Sequence, residues 1–115
     1  MAQQERTQED VRRFVQRAAR NRGWQLNPDH GFLNDLEAGL LATVTHYGYY
    51  LCPCRDGTGE RQKDRDIICP CVYAQKDIEE YGQCFCGLFV SESFAAENRT
   101  AEQIPERRPE HLRMQ

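Results

Sequence analysis

Six cysteines fall into three Cys-x-Cys units, Cys52-Pro53-Cys54, Cys69-Pro70-Cys71 and Cys84-Phe85-Cys86, with none outside them. Thiols confined to less than a third of the chain are poorly explained by scatter, so the units are expected to converge in space. A thiolate can bind a soft metal or attack a disulfide. One tetrahedral zinc or one cubane iron–sulfur cluster takes four protein sulfurs, so a single metal site leaves two thiols over. Pro53 and Pro70 fix φ and remove an N–H inside their units, which suits preset thiol directions.

Three chemistries compete for this pattern. A structural zinc bound by four cysteines leaves two spectators, and zinc modules usually space their ligands more widely, as C-x2-C to C-x4-C. A framework of three disulfides needs an oxidising compartment, and partners within one Cys-x-Cys unit would be strained if bridged to each other. An iron–sulfur cluster beside a redox dithiol uses all six. That combination has a chemical reason. A disulfide takes two electrons, whereas a low-potential carrier delivers one at a time, so a cluster beside the disulfide must stabilise the half-reduced stage.

The rest of the composition narrows the setting. With 115 residues the chain suits one domain with a modest core. Only 39% of residues are hydrophobic and 29% are charged, so something besides apolar burial is expected to help hold the fold. The net charge of −3 argues against a nucleic-acid partner, which would need clustered Lys and Arg. No stretch approaches the ~20 apolar residues that span a bilayer, and the start, Met1-Ala2-Gln3-Gln4-Glu5-Arg6, lacks the apolar run of an export signal. No membrane association and a cytoplasmic, reducing setting are expected, where cysteines serve metals or catalysis.

Helices are expected to carry the cysteine loops. Val11, Phe14, Val15 and Ala18 form one apolar stripe over residues 7–21, with Thr7 as cap, Asp10 completing a near capping box and Gly23 as stop. After a turn at Asn27-Pro28-Asp29, Phe32, Leu33, Leu36, Leu40, Leu41 and Val44 predict a second helix that ends at Gly48. From Tyr49 to Cys86 the period breaks at Pro53, Gly57, Gly59, Pro70 and Gly82, leaving room for helical turns over residues 56–66 and 77–81. Gly87-Leu88-Phe89-Val90 reads as a short buried strand or extended piece. Residues 98–115, rich in Glu, Arg, Gln and Pro, read as a polar tail, mobile or ordered only by a partner, after a domain over residues 1–97. The expected fold class is mainly α, a small single-domain helical fold whose loops carry the cofactor.

The motifs Leu51-Cys52-Pro53-Cys54-Arg55, Cys69-Pro70-Cys71-Val72 and Cys84-Phe85-Cys86-Gly87-Leu88-Phe89 resemble the catalytic chain of ferredoxin-thioredoxin reductase, whose signature is Cys-Pro-Cys, Cys-Pro-Cys and Cys-His-Cys. The resemblance runs from the first helix to about Phe94. It implies an oxidoreductase in which Cys52, Cys69, Cys71 and Cys84 bind a [4Fe–4S] cluster, while Cys54 and Cys86 form the redox-active disulfide. In the mechanism so implied, an electron from ferredoxin enters through the cluster and opens the Cys54–Cys86 bridge. Cys54 then attacks the disulfide of a thioredoxin or thioredoxin-like protein, while Cys86 interacts with the cluster. After a second electron, Cys86 resolves the mixed disulfide. Cys54 is expected to be the more exposed. Related plant and cyanobacterial enzymes add a small variable subunit, a possible partner here. The alternative to the enzyme is a non-enzymatic zinc or iron–sulfur binding module.

Two departures stand out: Phe85 occupies the place of the family's proton-moving His, and the loop from Cys71 to Cys84 is longer than expected. Both are compatible with a stand-alone prokaryotic form. His46 is a candidate substitute proton donor, although a His at a helix end more often meets the last-turn carbonyls. Arg55 is expected to favour a Cys54 thiolate, or to pair with Asp56 or another nearby carboxylate. Tyr47, Tyr49, Tyr50, Tyr73 and Tyr81 are expected mainly as core and rim packing, the alternative being a cover over the cluster that keeps water away. The runs Asp77-Ile78-Glu79-Glu80 and Arg61, Lys63 and Arg65 read as solvated surfaces; a basic patch facing the cluster would steer an acidic ferredoxin.

Overall fold

A computed structural model describes residues 5–113. The reading of Met1 to Gln4 and the last two residues of the polar tail lie outside that range. Helix α1 (Gln8–Arg22) starts at the expected capping box: Thr7 accepts from the Asp10 N–H, and the Asp10 carboxylate accepts from the Thr7 N–H at 2.9 Å. Helix α2 (His30–Tyr47) is capped by Asp29, which accepts from the Phe32 N–H, and ends at Gly48. These two helices pack against each other through apolar stripes that include Val11, Val15, Leu36 and Leu40.

A strand missed in the sequence, β1 (Gln25–Leu26), pairs antiparallel with β2 (Phe89–Val90), with Gln25 opposite Val90 and Leu26 opposite Phe89. Two residues are too short for a period-2 pattern to declare itself. Short helices α3 (Arg61–Asp64), α4 (Ala74–Tyr81), α5 (Glu92–Ala96) and α6 (Glu110–Arg113) and a 3-10 turn over Arg65–Ile67 complete the fold. About half of the described residues are helical and a small two-stranded sheet is added, which is broadly in line with the mainly helical expectation. The molecule is flat, 46 × 35 × 23 Å.

A second, smaller apolar group of Tyr49, Leu51 and Ile67 is organised by a fully buried acid, Asp64. Its carboxylate accepts from the Tyr49 hydroxyl, the Thr58 N–H and hydroxyl, and the Gly59 N–H. Burial pushes its pKa up, but those donors outweigh burial and hold it below the ordinary carboxylate range. Such a group binds fewer protons folded than unfolded, so its stabilisation is complete above the ordinary value near ~4 and is lost as pH falls through the folded value. Thermal melts of the unsubstituted chain should therefore fall as pH drops from ~5 to ~3, and Asp64→Asn should melt lower at neutral pH with a flatter acid slope. An unchanged acid slope would remove Asp64 from the acid response.

The tail differs from expectation. Ile104 and Arg108 are buried, Arg108 donates to Asp66 at 2.7 and 3.1 Å, and Arg107 donates to Asp77 at 2.8 Å. The segment lacks an apolar run but is anchored in this chain by ion pairs, which hydropathy does not register. Asp77, expected on a solvated run, is fully buried for the same reason.

Candidate functional site

Short backbone pairings align the cysteine units. An antiparallel bridge joins Leu51 to Ile68, with the Cys52 N–H donating to the Ile67 carbonyl at 2.9 Å and the Cys69 N–H to the Tyr50 carbonyl at 2.7 Å. Cys52 and Cys69 therefore stand on adjacent extended segments. Helix α2 supports the first unit twice. The Thr43 hydroxyl lies 3.0 Å from the Leu51 carbonyl, and a Cβ at Gly39 would come within 2.9 Å of the Pro53 Cβ. The Cys69–Pro70 peptide is cis.

The third unit sits in a tight loop beside β2. Gln83 bridges Val90, the Cys84 N–H donates to the Phe89 carbonyl, and the Gly87 N–H donates back to the Cys84 carbonyl, both at 2.9 Å. Gly87 has φ +80°, and a Cβ there would stand 2.8 Å from the Ala101 Cβ. Buried Asn27 fastens this loop to β1: its side-chain amide donates to the Gly87 carbonyl at 2.9 Å and its N–H to the Leu88 carbonyl at 3.0 Å.

All six cysteines are free; Cys54 is exposed and the other five are buried. The expected order of exposure between Cys54 and Cys86 holds. The Cys84 and Cys86 sulfurs are 3.8 Å apart, and the Phe89 N–H points at the Cys84 sulfur at 3.3 Å. Cys86 is the hub. Its neighbours Cys52, Cys54 and Cys84 hold its thiol pKa well above the ordinary value, and Cys86 in turn pulls those three thiols down against burial. Burial pushes Cys69 up and lifts Cys71 to about 11, with Cys52 and Cys84 close enough to add repulsion at both. The three units thus converge as their spacing suggested. Among the described residues, no three or more His, Cys, Asp or Glu side chains are set to hold a single metal ion as they stand.

One cation serves this sulfur cluster. The Arg55 side chain is only 4% exposed, and its charge favours the thiolate at Cys52, Cys54, Cys69 and Cys71. Its guanidinium lies 4.4 Å from the Phe85 ring centroid and 5.6 Å from that of Tyr73. The partner is not Asp56 but Glu106, which accepts two hydrogen bonds at 2.8 and 2.6 Å in a bidentate pair. The third guanidinium nitrogen, Nη1, is buried with no hydrogen-bond partner.

The C-terminal segment meets every cysteine loop. Glu106 holds Arg55, beside Cys54, and Arg108 holds Asp66, ahead of Cys69. Arg107 holds Asp77 and Glu80 on α4, and the Glu102 backbone exchanges hydrogen bonds with Gln83, next to Cys84, at 2.8 and 2.9 Å. Sequence reasoning missed Glu106, Asn27 and Arg108, because each acts across a long separation. His46 is exposed and its ring meets the edge of Tyr47, as a helix-end residue. The tyrosines pack as expected: Tyr50 stacks on Phe14 at 4.3 Å, and the Tyr73 hydroxyl donates to Asp66 at 2.7 Å. Arg61, Lys63 and Arg65 are exposed on the segment leading into Cys69.

Among the described residues, no helix is long and apolar enough to cross a membrane. A curated relative, the ferredoxin-thioredoxin reductase catalytic chain, chloroplastic, of Arabidopsis thaliana, is 31% identical over 100 residues. The alignment covers 84% of this chain and 66% of that protein, so the chain spans just under two thirds of the relative's length. The family model for the ferredoxin thioredoxin reductase catalytic beta chain matches residues 1–111. The match takes in the polar tail that the motif resemblance left outside at Phe94, as do the ion pairs that bind the tail to the cysteine loops. With its cysteine loops gathered and its family model matched almost end to end, the chain belongs to the family of ferredoxin thioredoxin reductase catalytic beta chains.

Proposed function

We propose that this chain reduces the disulfide of a thioredoxin or thioredoxin-like protein with electrons from ferredoxin, using a [4Fe–4S] cluster beside a Cys54–Cys86 redox pair, in the cytoplasm. The observation that carries the reading is the division of the six thiols. One is exposed and five are buried, and the exposed Cys54 is near enough to buried Cys86 for each to perturb the other's ionisation. Cys52, Cys69, Cys71 and Cys84 would hold the cluster. They are buried soft donors in an apolar group, and Arg55, with an unpaired buried nitrogen, offsets the negative charge that four thiolates and a cluster bring. When bound, the cluster would supply single electrons at low potential beside the redox pair.

The chain's own thiols carry the exchange. Cys54 reaches solvent, so its thiolate attacks one sulfur of the acceptor's disulfide and forms a mixed disulfide, releasing the acceptor's other thiol. Cys86 attacks the Cys54 sulfur, expels the second acceptor thiol and leaves the Cys54–Cys86 bridge, which two donor electrons and two protons return to the dithiol. Arg55 favours the thiolate form throughout. The flat shape suits donor and acceptor docking on opposite faces, and the exposed Arg61, Lys63 and Arg65 suit an acidic donor.

Iron, acid-labile sulfide and the visible spectrum of anaerobically purified protein, with thiol counts before and after reduction, test the proposal. Four irons, four sulfides and one reducible disulfide per chain are expected. One zinc without sulfide would make the chain a non-enzymatic zinc module.

A further inference from the structure

The residue that follows Cys54 and the residue that precedes Cys86 touch each other: the Arg55 guanidinium lies over the Phe85 ring, 4.4 Å from its centroid. A stack between these neighbours ties the first cysteine loop to the third at the two thiols that must meet. Arg55 does not hold this position unaided. Its long side chain would lose rotamer freedom to stay there, and it is fixed from the far end of the chain by the bidentate bond to Glu106. Glu106 is fixed in turn, since its Oε1 also accepts from the Arg108 N–H at 3.0 Å, and Arg108 is anchored on Asp66.

We infer that Glu106 is a positioning residue for the Cys54–Cys86 pair, acting by holding Arg55 over Phe85 so that the two thiol-bearing loops stay in the register needed for the bridge to close. This inference rests on the proposed roles of Cys54 and Cys86 and adds what sets their approach. It also gives Phe85 a task that needs no proton: its ring is a platform for a cation. The exposure of Cys54 makes the tether necessary, because a loop carrying a thiol at the surface is free to swing away from a buried partner. Closing such a gap is a matter of effective concentration, which a fixed Arg55 raises.

The test is the equilibrium between bridge and dithiol in the intact, anaerobically purified protein. Graded mixtures of oxidised and reduced dithiothreitol exchange the Cys54–Cys86 bridge for the reagent's own, two electrons and two protons each way, and mass-tagged alkylation reads the fraction bridged. Glu106→Gln keeps the shape of the side chain but removes its charge; it should shift the equilibrium toward the dithiol by about three- to tenfold. Phe85→Leu should shift it in the same direction, and the double variant should do no more than the larger single change. Glu106→Asp, which keeps the charge, should recover part of the shift. Should Glu106→Gln not fold, Phe85→Leu and Glu106→Asp carry the same test.

A bridge that closes normally in all these variants, or effects of Glu106→Gln and Phe85→Leu that simply add, overturns the inference and leaves the functional reading intact. A merely structural Glu106 would lower the melting temperature without moving the redox equilibrium. Absence of any Cys54–Cys86 bridge in the unsubstituted protein would overturn the functional reading and the inference with it.

Discussion

Cys54→Ser should retain the metal and lose the disulfide exchange, with turnover falling on the order of a thousandfold or more, as expected when a nucleophile is removed. The reason is the division of the thiols. Cys54 is exposed while Cys52, Cys69, Cys71 and Cys84 lie in an apolar group to which α1, α2, α4 and β2 contribute. A serine at the surface costs little in packing, and its hydroxyl cannot replace a thiolate as nucleophile. Cys69→Ser should behave oppositely, losing metal and melting lower, because Cys69 is buried and, in the proposed division, would serve the fold as well as the cofactor. The comparison is made by metal content, visible spectrum and insulin-type disulfide reduction on both variants. If Cys54→Ser strips the metal as thoroughly as Cys69→Ser, Cys54 is a ligand and the proposed division of labour fails.

Truncation after residue 98 should unfold the chain or leave it without a stable site, although composition alone marks that segment as dispensable. Its removal strands three buried or half-buried charges at once: Arg55 without Glu106, Asp66 without Arg108, and fully buried Asp77 without Arg107. Removing one partner leaves a desolvated charge uncompensated, and three such losses at once weigh heavily against the ~5–15 kcal/mol that holds a domain of this size together. Loss of Ile104 from the interior adds to it. Circular dichroism melts of the truncated and intact chains decide the matter. A truncated chain that melts within a few degrees of the intact one would mean that the C-terminal segment decorates the fold.

Local patterning carried much of this protein. Thr7 with Asp10 and Gly23, and the apolar stripe that ends at Gly48, marked the two long helices, because caps and a 3.6-residue period are decided within a few neighbours. The three Cys-x-Cys units marked the site for a similar reason: six thiols with few other uses leave few chemistries to choose from. The pairing of β1 with β2 was not legible, since two-residue strands carry no period of their own. Nor was the role of the C-terminal segment. Glu106 and Arg55 are separated by 51 residues, Arg108 and Asp66 by 42, and Arg107 and Asp77 by 30, and nothing in a run of charges tells which will find a buried partner. Local sequence was enough for the helices that support the site and for the thiols that compose it. Which charge guards those thiols, and which stretch of chain closes over them, was decided only when long-range desolvation made each ion pair necessary.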